Sequence, residues 1–143
     1  MKTRLMVATL AVIAAGVALG QDDPIAARQA IMKQNGQDSR MAFMMAAGRQ
    51  PFDPAAAAAA MNSIAADMAK FPALFPPGSD QGNTHASPDI FTNMDDFKAR
   101  AAQLGADATA AATGAANGLD AFKVAFDAVN NDCSGCHQRY RVR

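Results

Sequence analysis

The residues best suited to chemistry lie near the C-terminus, where Cys133, Cys136 and His137 form the pattern C-x-x-C-H. Two thiols three positions apart can form thioether bonds to the two vinyl groups on one edge of a porphyrin. The histidine next to the second thiol then brings an imidazole nitrogen beneath the iron as an axial ligand. This spacing is a c-type haem attachment signature. The pattern therefore predicts one haem c, covalently attached to the chain.

Three other interpretations of the same cysteines are weaker. A thioredoxin-like dithiol opens a helix after a strand, whereas here the motif falls near the end of the last predicted helix. A structural zinc site needs four ligands, and the only other histidine, His85, lies in a predicted loop with polar neighbours, which favours a solvent-exposed role. A disulfide is common in exported proteins, but the adjacent His137 favours haem.

A second axial ligand has to come from elsewhere in the chain. Met32 lies on the same predicted helix face as Arg28 and Ile25. A thioether is a soft ligand that raises the haem potential, and a guanidinium can pair with a haem propionate. Two alternatives stay open: Met32 fills the core, as one of nine methionines, and Arg28 is a solvated surface charge.

Composition excludes several other functions. Half of the 143 residues are apolar, tryptophan is absent and the formal net charge is zero, with 13 acidic and 13 basic residues. No basic surface of the kind that nucleic acid requires is apparent. The sequence also carries no acid–base pair, flavin fingerprint or second cofactor motif, so we expect no enzymatic activity.

The first 20 residues are typical of a secretory signal peptide. Lys2 and Arg4 precede the apolar run Leu5–Ala18, and small residues then allow cleavage near Gly20/Gln21. The alternative, an uncleaved membrane anchor, is disfavoured because the run is shorter than the roughly 20 residues of a spanning helix.

Cleavage at that point defines the mature protein. Residues 1–20 would be removed, and residues 21–143 would form a single haem-binding domain with a net charge of 11 minus 13, or −2. We therefore expect a mildly acidic protein of the periplasm, with no membrane association after cleavage.

The mature chain is predicted to be all-α, an antiparallel four-helix bundle with a long crossover loop between helices 2 and 3. Pro and Gly cluster in the loop, residues 71–87, and Asp or Ser before Pro marks the start of the second and third helices. The four predicted helices run from about Pro24 to Ala47, from Pro54 to near Lys70, from Ser87-Pro88 to Asn117-Gly118, and from Leu119 to about Arg141.

The last helix carries an apolar stripe that continues into the haem motif. Its members step by three or four residues, which places them on one helix face. They are Leu119, Phe122, Phe126, Val129, Cys133, Cys136 and Tyr140. We therefore expect both thiols to face the bundle core.

These features together resemble the class II c-type cytochromes, the family of cytochrome c′ and its low-spin, methionine-ligated relatives. The most specific likeness is the C-terminal position of the haem motif, followed by Gln138-Arg139-Tyr140-Arg141. Other similar segments are Ala27–Met32, Gly48–Asp53, Leu74-Phe75-Pro76 and Ser87–Phe91.

The resemblance implies a role for each site residue. His137 would be the proximal ligand, and Met32 would face the distal side of the iron. Arg28 would lie near a propionate, Phe91 would be an aromatic near the haem, and Arg141 would lie close to the proximal side. The family likeness also implies pairing of two copies through their first two helices.

Within that family the distal residue separates two functions. Where methionine binds the iron, the protein is low-spin and transfers electrons to a redox partner, which this sequence does not identify. Where the distal residue only packs, the haem is five-coordinate and binds nitric oxide or carbon monoxide. The segment Ile31–Gly36 is more similar to the methionine-ligated branch, although some five-coordinate members also carry a methionine here.

Overall fold

The computed structural model describes residues 23–142. The predicted signal peptide, residues 1–20, and its cleavage site therefore lie outside the described residues, as does Arg143. The described part is helical and contains no strand, which confirms the all-α prediction. Its helices are α1 (Pro24–Ala46), α2 (Pro54–Lys70), α3 (Asp89–Thr92), α4 (Met94–Ala116) and α5 (Leu119–Tyr140), with a 3-10 turn at Phe71–Leu74.

Local signals explain where the first two long helices begin. The Asp23 carboxylate accepts a hydrogen bond from the backbone N–H of Ile25 (2.9 Å), and Asp53 does the same for Ala55 (2.9 Å). Each cap precedes a proline, whose missing N–H is not needed in the first turn. The predicted helix starts at Pro24 and Pro54 are confirmed.

The prediction of a single third helix is wrong in one respect, because the structure has two helices in that segment. The chain leaves helical geometry at Asn93 (φ −129°, ψ 40°), between the short α3 and the long α4. The Asn93 side-chain amide donates to the backbone carbonyl of Asp89 (2.9 Å). Asparagine side chains compete in this way for backbone groups, which interrupts a helix whose apolar periodicity continues.

Four long helices, α1, α2, α4 and α5, form the bundle. Small residues on α2 and α4 let these helices approach closely, and a Cβ built at Gly105 would lie 3.7 Å from the Cβ of Met68. At the turn between α4 and α5 the approach is closer still, since a Cβ on Gly114 would lie 3.2 Å from the backbone oxygen of Ala121. Fully buried alanines fill these contacts, at positions 57, 108, 111 and 115.

The crossover loop between α2 and α3 is joined to the C-terminal tail. Ala86 and Arg141 form an isolated antiparallel bridge. The backbone N–H of Val142 donates to the carbonyl of His85, and that of Ser87 donates to the carbonyl of Tyr140, both at 2.9 Å. We call this pairing of residues 85–87 with residues 140–142 the C-terminal clasp.

Within residues 23–142, no helix is both long and apolar enough to cross a bilayer.

Candidate haem site

Helix α5 carries both cysteines on its core-facing side, as the apolar stripe predicts. Phe122, Phe126 and Val129 are almost completely buried. One and two turns further on, Cys133 and Cys136 are half-buried and pack against the same core. Both thiols are free, so each sulfur remains available for a thioether bond.

A cavity of about 350 Å³ opens beside the second thiol. It lies between α1, the crossover loop, the start of α4 and the end of α5. Its wall is mainly apolar and comprises Ile25, Arg28, Gln29, Met32, Phe71, Phe75, Thr84, His85, Ala86, Ile90, Phe97, Cys136, His137, Tyr140 and Arg141. Cofactor sites in proteins are typically apolar cavities of this order with a few polar groups.

Five of the seven predicted site residues lie in that wall. Arg28 and Met32 reach it from α1, although they are more than 100 residues from the haem motif in sequence. Cys136 and His137 reach it from α5, and Arg141 follows directly after that helix. The structure therefore brings together an imidazole, a thioether, a thiol and two guanidinium groups.

The other two predicted site residues lie nearby but outside the wall. Cys133 packs against the core one turn before Cys136. Phe91 lines a second, more open groove, where its ring centroid lies 6.3 Å from that of Phe75. Because Phe75 lines both the groove and the cavity, it separates Phe91 from the cavity.

His85 is a cavity residue that sequence reasoning missed. Its polar neighbours favoured a solvent-exposed role, and the residue is indeed exposed, yet it also lines the cavity with His137. The C-terminal clasp places it there, through the hydrogen bond between its carbonyl and the N–H of Val142. No local sequence signal indicates such a long-range pairing.

Arg28 attaches the crossover loop to α1. Its Nη2 donates to the backbone carbonyl of Ser79 (2.7 Å), and its Nη1 donates to the Ser79 hydroxyl (3.2 Å) and to the carbonyl of Leu74 (3.5 Å). The guanidinium also stacks 4.4 Å above the ring of Phe75. A guanidinium has five N–H donors, so donors remain for a further anion at the cavity.

Burial controls the protonation of the haem motif. It raises the pKa of Cys133 to about 11, with a further contribution from the charge of Asp132. Burial also raises the pKa of Cys136, and it lowers the pKa of His137, an effect that the charge of Arg141 reinforces. The imidazole is thus kept neutral, which is the form that binds a metal.

Polar contacts hold the end of α5 against α4. The hydroxyl of Tyr140 donates to the Asp96 carboxylate (2.5 Å), which also accepts from Nε of Arg100 (2.8 Å). These two hydrogen bonds hold the pKa of Asp96 below its usual value. The Tyr140 ring meets Phe97 edge to face at 5.4 Å, so His137 lies on a helix end that is fixed by both polar and aromatic contacts.

The residues present fit a haem c. The free, half-buried thiols are suitable partners for two vinyl groups, and His137 supplies a neutral imidazole at the cavity wall. The wall itself is formed largely by aromatic and aliphatic side chains, which would exclude water from a porphyrin face.

Comparisons with known proteins identify the family of this chain. Residues 23–141 match the family model described as Cytochrome C′. The chain is 39% identical to cytochrome c-556 of Agrobacterium fabrum, over 81% of this chain and 79% of that protein. It is 37% identical to cytochrome c′ of Rhodopseudomonas palustris, over 100% and 99% of the two chains.

A solved structure gives the same result for the fold. Cytochrome c′ from Rhodopseudomonas palustris superposes with a TM-score of 0.81 and 35% sequence identity, covering 86% of this chain and 98% of that one. The match extends over the whole bundle, which confirms the four-helix prediction. With its motif, cavity and architecture all in agreement, this chain belongs to the cytochrome c′ family and carries a covalently bound haem c.

Proposed function

We propose that this protein is a monohaem electron carrier whose haem is bonded to Cys133 and Cys136, with iron ligated by His137 and Met32. The observation that supports it is the presence of Met32, from α1, and His137, from α5, in the wall of one cavity. When bound, haem c supplies a one-electron couple at its iron.

The residues around the cavity suit that role. Two protein ligands would keep the coordination of both oxidation states the same, so that little rearranges on electron transfer. The thioether of Met32 favours the reduced state, because soft ligands stabilise ferrous iron. Buried Phe71, Phe75 and Phe97 keep water from the cofactor, which limits the solvent reorganisation that accompanies a change of charge.

Two arginines would orient the haem propionates. Arg28 is fixed by its three hydrogen bonds to the crossover loop, and Arg141 is held by the C-terminal clasp. Burial lowers the pKa of Arg28, while the charge of Asp23 opposes that shift. A guanidinium remains charged even so, and it can bind a carboxylate through two parallel hydrogen bonds.

We further propose that the mature chain acts in the periplasm after removal of residues 1–20. There it would exchange electrons with a redox protein and carry out no substrate chemistry of its own. Pairing of two copies through α1 and α2 is part of the same proposal, as the family resemblance implies.

Replacing Met32 tests the proposed ligand. Met32→Leu keeps an apolar side chain of similar size but removes the sulfur, so the ferrous protein should change from a low-spin to a broad high-spin absorption spectrum. The variant should also bind carbon monoxide rapidly, while the wild type binds it slowly. Met41→Leu is the matched control, because Met41 lies on the same helix but away from the cavity wall, and the spectrum of this variant should stay low-spin.

A gas-binding function is the second candidate. It is supported by the likeness to cytochrome c′ over the full chain and by the packing of the Met32 side chain against the hydrophobic core. In that case the wild type would itself be high-spin and would bind nitric oxide or carbon monoxide at an open distal position. A high-spin wild-type spectrum that is unchanged in Met32→Leu would therefore replace the electron-carrier proposal with this one.

A further inference from the structure

Two carboxyl groups meet between α4 and α5, outside the cavity wall. Asp107 of α4 and Asp132 of α5 lie within hydrogen-bond reach of each other, and both are half-buried. One oxygen of Asp107 accepts a hydrogen bond from Nε2 of Gln103 (2.8 Å). In Asp132, the Oδ2 atom is buried and receives no hydrogen bond from any group within residues 23–142.

A single proton would satisfy this arrangement. Ionised carboxylates only accept hydrogen bonds, so two of them in contact repel each other and leave the buried oxygen unpaired. If one of the pair is protonated, its O–H can donate to the other. Carboxyl pairs of this kind titrate together and retain one proton to a higher pH than an isolated carboxyl does.

The charged surroundings of the pair favour that proton. Burial is the main cause of the raised pKa of Asp132, and the hydrogen bond and charge of Asp107 add to it. Arg100 of α4 acts in the opposite direction, but its guanidinium is already paired with Asp96. On α5 itself the neighbouring ionisable groups are Cys133 and Cys136, two thiols that haem attachment would convert into thioethers.

One member of the pair is also next to a haem-attachment residue in the sequence. Asp132 directly precedes Cys133, so its carboxyl lies on the turn of α5 that is attached to the haem edge. Oxidation adds one positive charge to the haem. A nearby positive charge stabilises ionised carboxylates and lowers their pKa.

We propose that Asp107 and Asp132 share one proton in the ferrous protein and release it when the haem is oxidised. One electron passes from ferrous iron to a one-electron acceptor, such as the redox partner or an electrode. The O–H bond of the protonated carboxyl breaks at the same time, its electron pair stays on the carboxylate, and the proton passes to water. Reduction reverses both steps, so this inference rests on the proposed electron-carrier function and extends it.

The test is the reduction potential of the holoprotein, measured at an electrode from about pH 4 to about pH 8. The wild-type potential should fall as pH rises, by up to about 59 mV for each tenfold drop in proton concentration. Asp132→Asn and Asp107→Asn should remove this slope, because an amide can donate to the remaining carboxylate without titrating. Asp127→Asn is the matched control, an exposed α5 position with the same charge change, and it should keep the slope.

A wild-type potential that is independent of pH would overturn the proposal, and so would a slope that persists in both Asn variants. Infrared difference spectra between ferrous and ferric protein provide a second measurement, with a protonated carboxyl band expected in the ferrous state only. The failure of the underlying function would look different. A high-spin wild type with an intact slope would disprove the electron carrier and leave the proton pair standing.

Discussion

The two ends of the bundle are stabilised in different ways. At the end near the turn between α4 and α5, which we call the closed end, Phe122 and Phe126 stack at 5.4 Å and the buried alanines of α2 and α4 fill the remaining space. At the opposite end, the open end, the helices surround the cavity beside His137. The polypeptide completes its own core at the closed end, whereas the cofactor would complete the core at the open end.

The kinds of contact differ accordingly. The closed end depends on close apolar packing, with Gly114 allowing α4 and α5 to meet. The open end depends on directed polar contacts, from Arg28 to the crossover loop and from Tyr140 to Asp96. Polar contacts of this type fix orientation, which a cavity needs if it is to hold a flat ring in one position.

Removing the attachment should have the largest effect on this contrast. A Cys133→Ser/Cys136→Ser double variant should carry no covalent haem, and its open end should lose protection from amide hydrogen exchange because the cavity loses its filling. The closed end should keep more of its protection. Mass spectrometry measures both the missing haem and the exchange, and equal loss of protection at both ends would contradict the comparison.

A large aromatic deletion tests the closed end directly. Phe126→Ala should lower the free energy of unfolding by about 3–5 kcal/mol, because the ring is almost completely buried among apolar neighbours. Denaturant unfolding of the holoprotein measures this change in the free energy of unfolding. Val124→Ala is the control on the same helix, 77% exposed, and it should change stability by less than about 0.5 kcal/mol. Similar effects of the two substitutions would show that the closed end is not tightly packed.

Arg28→Met tests the polar contacts of the open end. The variant keeps an apolar stem near Phe75 but loses the hydrogen bonds to Ser79 and Leu74. We therefore expect its free energy of unfolding to fall by about 1.5–3 kcal/mol. Limited proteolysis should cut the crossover loop faster in this variant. Arg40→Met, an exposed position on the same helix, should leave both stability and cleavage unchanged. Slow cleavage in both variants would show that Arg28 does not hold the loop.

The smallest effect is expected for Tyr140→Phe, which removes one hydrogen bond and keeps the ring against Phe97. Hydrogen bonds from Arg100 and then Tyr140 lower the pKa of Asp96 in the folded state, so the Tyr140 contact adds stability above the usual Asp pKa, and this stability is lost as pH falls through the lowered value. The wild type should thus be more stable than the variant at neutral pH, and the difference should shrink in acid. Thermal melts of both proteins at several pH values measure this difference in stability. A difference that grows in acid would contradict the prediction.

Local signals in the sequence predicted most of the helices and the residues of the haem motif. Asp before Pro places the starts of α1 and α2 correctly, because a cap and its helix are neighbours in the chain. The apolar stripe of α5 likewise predicts the inward position of the cysteines, since helix periodicity depends only on spacing along the chain.

Features that depend on how distant segments meet were not predictable in the same way. Asn93 interrupts a helix through a side-chain hydrogen bond that periodicity does not reveal. His85 reaches the cavity only because the crossover loop pairs with the C-terminal tail. The contact between Asp107 and Asp132 depends on the register of α4 against α5, which the composition of neither helix determines.

The C-terminal clasp has a consequence for the order of assembly. It joins residues 85–87 to residues 140–142, which are more than 50 positions apart in the chain, through two backbone hydrogen bonds. Closing so long a loop for so few contacts is favourable only after the bundle has formed. The mouth of the cavity should therefore shut last during biogenesis, leaving Cys136 and His137 accessible to the attachment machinery until haem is in place.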